Sequence, residues 1–293
     1  MAIIPPFFMD AVVALGVSID NNTSWIGTGV LVGRKEQNDP NQSTVYIITN
    51  KHVVQNRDTL LVRFNSADSA GVKDVNLLLK NVDNKKLYSE HPMPNVDVVA
   101  IQIIPQAVID NGLSLSFLSL DDHALTLAKM RDTGVDEGSL VYALGFPMNI
   151  VNASLKAPVC RLGCIARVSD AFATPLSAEM FLVDAQTFPG NSGGPIISRP
   201  EHISIKGTPF NSSAYLIGII SAYIPYQETL CSQQTKRIRM IQEENSGLTI
   251  VHPVDRIKEV VEIEWLRDAL IRSATKKNTP DGGEAKEEAL AYA

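Results

Sequence analysis

Cysteine is scarce. Three occur in 293 residues, Cys160, Cys164 and Cys231. An odd count, with Cys160 and Cys164 separated by three residues and Cys231 without a near partner, argues against a disulfide framework, and with five scattered histidines it argues against a zinc site, which wants four ligands in close pairs. Free thiols in a reducing compartment are expected. Basic charge is also short: 26 Lys and Arg stand against 32 Asp and Glu, a net charge of −6. Nucleic acid is therefore not the expected partner, because phosphate binding wants a basic face. Long apolar runs are missing, so no membrane span is expected. The N-terminal MAIIPPFFMDAVVALGVSID has no basic start and contains Pro5, Pro6 and Asp10, which is unlike a signal peptide. The expected location is the cytoplasm. Alternating strand and helix patterns are absent too, which argues against a parallel sheet.

What the chain has is short strands. Hydrophobic residues make up 45% and charged residues 20%, enough to bury a core. Residues 11–19, 27–33, 44–50, 59–64, 75–82 and 97–103 are β-branched or leucine-rich and are separated by turn clusters. After a linker near 116–135 a second series follows at 138–147, 157–170, 180–186, 193–199, 214–224 and 247–253. Two such sets predict an all-β fold of two six-stranded antiparallel barrels. At 254–274, Ile257, Val260, Val261, Ile263, Leu266, Leu270 and Ile271 recur at helical spacing. They predict an amphipathic helix packed on the second barrel. The boundaries expected are 8–115 for the first barrel, 136–253 for the second and 254–272 for the helix, all in one domain over 1–272. A polar tail over 273–293 is expected to be disordered.

The segment FPGNSGGP (188–195) sets one serine in a rigid, glycine-rich turn. A hydroxyl nucleophile needs a base, and the base needs orienting. His52 follows the strand ending at Asn50, and Asp97 opens the strand 97–103. Each has a plain alternative. A histidine after a strand is more often structural, Asp97 can be a strand cap, and 190–195 can be a tight hairpin turn. The order His52, Asp97, Ser192 is nonetheless one of the linear orders of a Ser–His–Asp triad.

These residues lie in motifs that resemble the trypsin/chymotrypsin-fold serine proteases, and most closely the HtrA branch. The motifs are GTGVLV (27–32), TNKHVV (49–54), DVVAIQI (97–103), GSLVYALGFP (138–147), DAQTFPGNSGGPII (184–197), LIGIISA (216–222) and LTIVHPVDRIKEVVE (248–262). The resemblance implies His52 as general base, Asp97 as its orienting group and Ser192 as nucleophile. It implies an oxyanion hole from the amides of Gly190 and Ser192, with Gly193, Gly194 and Pro195 holding the serine's exit path. The primary pocket is then floored near Gln186 and walled by Ser221, Ala222 and Tyr223. Because Gln186 is not acidic and Tyr223 narrows the pocket, cleavage after small or medium aliphatic residues is expected.

Several features depart from that branch. Only a helix and a polar tail follow the last strand here, so a PDZ domain is not expected in these residues, and no zymogen cleavage motif is seen near the N-terminus. Longer loops occupy 199–214 and 225–247. In the second, KRIRMIQEEN is expected as a short helix, and Lys236, Arg237 and Arg239 form a basic patch that is either solvated or docks a partner. Phe7 and Phe8 either make the aromatic contact through which relatives trimerise or pack back on the first barrel. His91, His123, His202 and His252 are expected to be structural or solvent-facing, and Trp25 and Trp265 to pack in the core. The expected partners are a protein or peptide substrate and an activating protein or further copies of the chain, without nucleic acid or membrane. The chemistry needs no cofactor or metal. The reading is a serine endopeptidase acting through an acyl-enzyme. Its alternatives are a partner-activated or self-processing protease and a protease-like binding module held inactive.

Overall fold

In the computed structural model, which describes residues 4–20, 22–36, 39, 42–68, 71–201 and 211–278 (side chains to 271), the β-branched runs become strands. The first half contains helix α1 (Pro6–Asp10), strands β1 (Val12–Ile19), β2 (Asn22–Lys35) and β3 (Ser43–Thr49), and the short helix α2 (Lys51–Val54). It continues through β4 (Thr59–Asn65), β5 (Val72–Leu78), β6 (Ser89–Glu90), β7 (Val99–Ile103), α3 (Pro105–Asp110) and β8 (Leu118–Ser119). Burial alternates along β4, as expected for a strand with one face inward. In β1 the first five residues are all buried, as in a strand covered on both faces.

The second half contains α4 (Leu127–Thr133), β9 (Leu140–Gly145), β10 (Val159–Arg167), α5 (Ser169–Ala173), β11 (Phe181–Asp184) and β12 (Pro195–Ser198). The strands β13 (Tyr215–Cys231) and β14 (Ile238–Pro253) and the helix α6 (Val254–Asn278) complete it. Its six strands close into a barrel in the order β10-β11-β14-β13-β12-β9. Among the described residues no helix is long and apolar enough to cross a membrane.

The first half is barrel-like, with eight strands rather than the expected six. Its path runs β5-β4-β1-β2-β3-β7-β6, and β8 adds to β2 in parallel. The two ends meet just past the strands, where Leu87 N–H donates to the Leu79 carbonyl at 2.9 Å. The extra strands are two-residue pieces, too short to leave a periodic trace in sequence.

Three differences from the sequence expectations have physical causes. The segment 225–247 carries no helix. It is a β-ribbon in which Thr229 pairs with Ile241, Leu230 with Met240 and Cys231 with Ile238. Cross-strand pairing outweighs the weak helical preference of KRIRMIQEEN. The helix α6 continues to Asn278, past the expected end at 272; residues 279–293 lie outside the described residues. It also rests on both halves. Val254, Ile257, Val260 and Val261 enter a core cluster that includes Val98 and Ala100 from the first half and Leu216 and Ile219 from the second. Ile263, Leu266 and Leu270 on its later turns are exposed. Phe8 is buried in that same cluster, and Phe7 stacks on Phe8 and His123 with ring centroids 4.4 and 5.0 Å away, so these aromatics pack on their own chain.

Candidate active site

The site lies where the two halves face each other. His52 sits on α2, a single turn held close to the end of β3 as Gln55 N–H donates to the Lys51 carbonyl at 2.8 Å. Asp97 precedes β7, which pairs with β3, so the sheet register itself sets the two side by side. His52 Nδ1 lies 2.5 Å from Asp97 Oδ2, and the His52 amide donates to Oδ1 at 3.2 Å. Burial alone would raise the Asp97 carboxyl. The hydrogen bond from His52, with its charge, outweighs that and holds the group below its ordinary value.

Three further groups hold Asp97, two through its backbone and one through its carboxylate. Asn50 Nδ2 donates to the Asp97 carbonyl at 2.6 Å, and Ser221 Oγ donates to Oδ2 at 3.4 Å. The third is His252, which the sequence reading set aside as structural. Its Nε2 accepts the Asp97 amide at 3.0 Å, and its Nδ1 donates to the Glu179 carbonyl at 2.7 Å. Those two bonds specify the neutral Nδ1–H tautomer. Burial likewise pushes its pKa below the ordinary value. A histidine 155 positions from its partner gives no local sequence signal.

Ser192 lies across the cleft in the glycine turn. Gly193 N–H donates to the Ile220 carbonyl and Ile220 N–H to the Gly194 carbonyl, each at 2.8 Å, which ties the turn to β13. The Ser192 carbonyl accepts the Thr28 amide at 2.8 Å, and Thr28 Oγ1 donates to the Gly190 carbonyl at 2.6 Å. Gly190 has φ +98°, and a Cβ there would lie 2.4 Å from the Phe146 carbonyl oxygen. Only glycine fits such a position. Asn191 caps the turn as its Oδ1 accepts the Phe188 amide at 3.0 Å. Ser192 Oγ itself donates to the Ser221 carbonyl at 3.3 Å.

His52 and Ser192 line one cleft. Ser221, Ala222 and Tyr223 from β13 line it, as do Thr187, Phe188 and Pro189. Gln186, expected at the floor, is exposed and does not line this cleft. The adjacent Thr187 does, buried and hydrogen-bonded through Oγ1 to Thr249 Oγ1 at 2.8 Å. The alternation of β11 runs on past its end, with Val183, Ala185 and Thr187 buried and Asp184 and Gln186 exposed, so the parity of the strand turns Thr187 inward and Gln186 outward.

The other histidines stand elsewhere. His91 is buried with Nε2 2.6 Å from Glu259 on α6, and His123 Nδ1 accepts the Ser119 amide at 3.0 Å. His202 lies outside the described residues. Cys160 and Cys164 both lie on β10, too far apart along an extended strand for a disulfide, roughly 13 Å.

The model of the trypsin-like peptidase domain family matches residues 27–202, more than half of the chain. No curated protein sequence matches it. Among solved structures, the MamO protease domain from Magnetospirillum magneticum, in its apo form, is similar at 17% identity with a TM-score of 0.47. That match covers 86% of this chain and 96% of the other. The HtrA-type protease AlgW with a decapeptide is similar at 16% identity and a TM-score of 0.44, over 88% of this chain and 64% of that one.

Proposed function

Because the chain belongs to the trypsin-like peptidase family, we propose that it is a serine endopeptidase acting through His52, Asp97 and Ser192. The observation that carries this is the 2.5 Å contact between His52 Nδ1 and Asp97 Oδ2 in the same cleft as Ser192. With its Nδ1 proton held by an ionised carboxylate, His52 presents Nε2 as the base that takes the Ser192 proton. Ser192 Oγ then attacks the scissile carbonyl. The amides of Gly190 and Ser192 receive the developing oxyanion, and His52 returns the proton to the leaving amine. Water repeats the cycle on the acyl-enzyme.

Ser192 Oγ now rests on the Ser221 carbonyl. A substrate N–H that takes that carbonyl frees the hydroxyl to turn toward His52, so binding and activation are linked. A side pocket of Thr187, Phe188 and Tyr223 suits small or medium aliphatic residues before the scissile bond. A reducing, cytoplasmic setting belongs to this reading and is supported by the three free cysteines. The resting contact of Ser192 also favours a second reading, in which a partner must reset the serine before any turnover.

A fluorophosphonate probe tests both. Labelling of wild type and not of Ser192→Ala, with cleavage of a peptide library after Val, Ala or Leu, is the expected result. Either Ser192→Ala or His52→Ala should lower kcat by roughly 10⁴-fold or more. Labelling only after a partner is added selects the second reading. A folded wild type that never labels ends the endopeptidase reading.

A further inference from the structure

Beyond the barrel, β13 and β14 run on together as a two-stranded ribbon, paired from Pro225 with Asn245 out to Cys231 with Ile238. One edge of β14 faces β13 throughout. The other pairs with β11 only at Leu248–Val251. From Ile238 to Glu244, among the described residues, that outer edge has no strand beside it, and every residue is exposed. Ile238, Met240 and Ile241 are each more than half accessible, and so is Leu230 on β13, opposite Met240. A lone two-stranded hairpin with open apolar side chains is barely stable in water. Charge along this strand is sorted by position. Lys236, Arg237 and Arg239 stand at its outer end, Glu243 and Glu244 toward its inner end, and the apolar side chains lie between them. Among the described residues none of these five makes an ion pair. Glu243 and Glu244 accept only from the neutral amides of Gln227 and Gln242.

We propose that this outer edge of β14 joins two copies of the chain, as antiparallel strands about a two-fold axis. The partner is a second copy because the strand is its own complement. When it is turned end for end about Ile241, Arg239 of one copy comes opposite Glu243 of the other, and symmetry makes the pair twice. Lys236 and Arg237 then approach the stretch that carries Glu244, and Ile238, Met240 and Ile241 cover their counterparts across the seam. A parallel copy would set like charge on like. The charges that keep an edge from indiscriminate pairing therefore select one orientation here. An anionic surface would attract one end of this strand and repel the other, so it fits less well than a copy does. Joined in this way, the ribbons form one sheet in the order β13-β14-β14-β13, with the third and fourth strands that an isolated hairpin lacks. Because β13 also brings Ser221, Ala222 and Tyr223 to the cleft, the pairing holds two clefts at opposite ends of one sheet. The inference does not depend on the endopeptidase reading.

Sedimentation velocity of the full chain tests this without any turnover. Wild type should run as a dimer at about 100 µM and dissociate toward monomer near about 1 µM, as a small interface does. Arg239→Glu and Glu243→Arg each set like charges opposite one another at two positions. Each should weaken the dimer by about tenfold or more. An equimolar mixture of the two single variants should recover it, because each then offers the charge that the other lacks. The variant Arg239→Glu/Glu243→Arg should recover it alone. Recovery on mixing also shows that both single variants are folded. Replacing Tyr226–Glu244 by Asn-Gly should leave monomer at every concentration. A wild type that stays monomeric at about 100 µM overturns the proposal. So does a dimer indifferent to the single swaps, or a loss that mixing or the double swap leaves unrepaired. An oligomer that survives the ribbon replacement overturns it too, since other surfaces then hold the copies.

Discussion

Gly190 and His252 show how single residues shape this site. A Cβ at Gly190 would press on the Phe146 carbonyl at 2.4 Å in a backbone region that L residues avoid. If the proposed mechanism holds, Gly190→Ala should move the amide assigned there to the oxyanion and cost about 10²–10³ in kcat. KM should change little if the loss falls on the transition state alone. His252 touches no reacting atom in this scheme, so it is a positioning residue. His252→Phe removes the acceptor for the Asp97 amide and should lower kcat by roughly tenfold or more. His252→Gln keeps a carbonyl to accept and an amide to donate, and should recover most of that loss. A stability defect without a kcat defect in His252→Phe would limit His252 to packing. The triad candidates were legible in sequence because each sits in a local motif. His252 was not, because its role depends on the β14 end meeting the loop before β7.

Among elements, the segment joining β9 to β10 carries a buried lysine. Lys156 Nζ donates to the Asp10 and Val12 carbonyls, the latter at 3.0 Å, and so pins this segment to the start of β1. Burial pushes its pKa from 10.5 down to about 8. Between those values the unfolded chain keeps the proton and the folded chain sheds it, so the group's contribution to stability rises as pH increases through that window. Below about pH 8 both states are protonated and its cost is constant. Urea midpoints of wild type should therefore gain on those of Lys156→Met as the pH is raised from about 8 toward 10. A constant difference between the two proteins across that range would refute the assignment. The outer ribbon marks the limit of sequence reading at this scale. KRIRMIQEEN is compatible with a helix on its own, and it is a strand because residues 226–231 lie beside it.

For the molecule as a whole, α6 joins the two halves. Ile257 is fully buried in the cluster shared by both. Arg34 on β2 adds a paired contact with Glu262, at 2.8 and 3.1 Å, and stacks 4.1 Å over Trp265. Ile257→Ala should cost about 2–5 kcal/mol by opening a cavity there. The loss should appear as one denaturation transition shifted for both halves together. Two separated transitions in wild type would show that the halves unfold independently and that α6 does not couple them. Since His52 and Asp97 come from one half and Ser192 from the other, any loosening of that seam should lower labelling of Ser192 before it lowers secondary structure.

Sequence alone determined what short-range physics controls. Strand runs follow from β-branched periodicity, the turn at 188–195 from its glycines and prolines, and the last helix from its 3.6-residue repeat. The candidate nucleophile, base and carboxylate could be named because each lies in such a segment. Tertiary structure alone decided the matters that depend on which segments meet. These are the 2.5 Å approach of His52 to Asp97 and the bond from Asp97 to His252. The free edge of β14 belongs with them. Periodicity shows that a residue faces inward or outward, but the neighbour it then finds is set by strand register and by the packing of one half on the other.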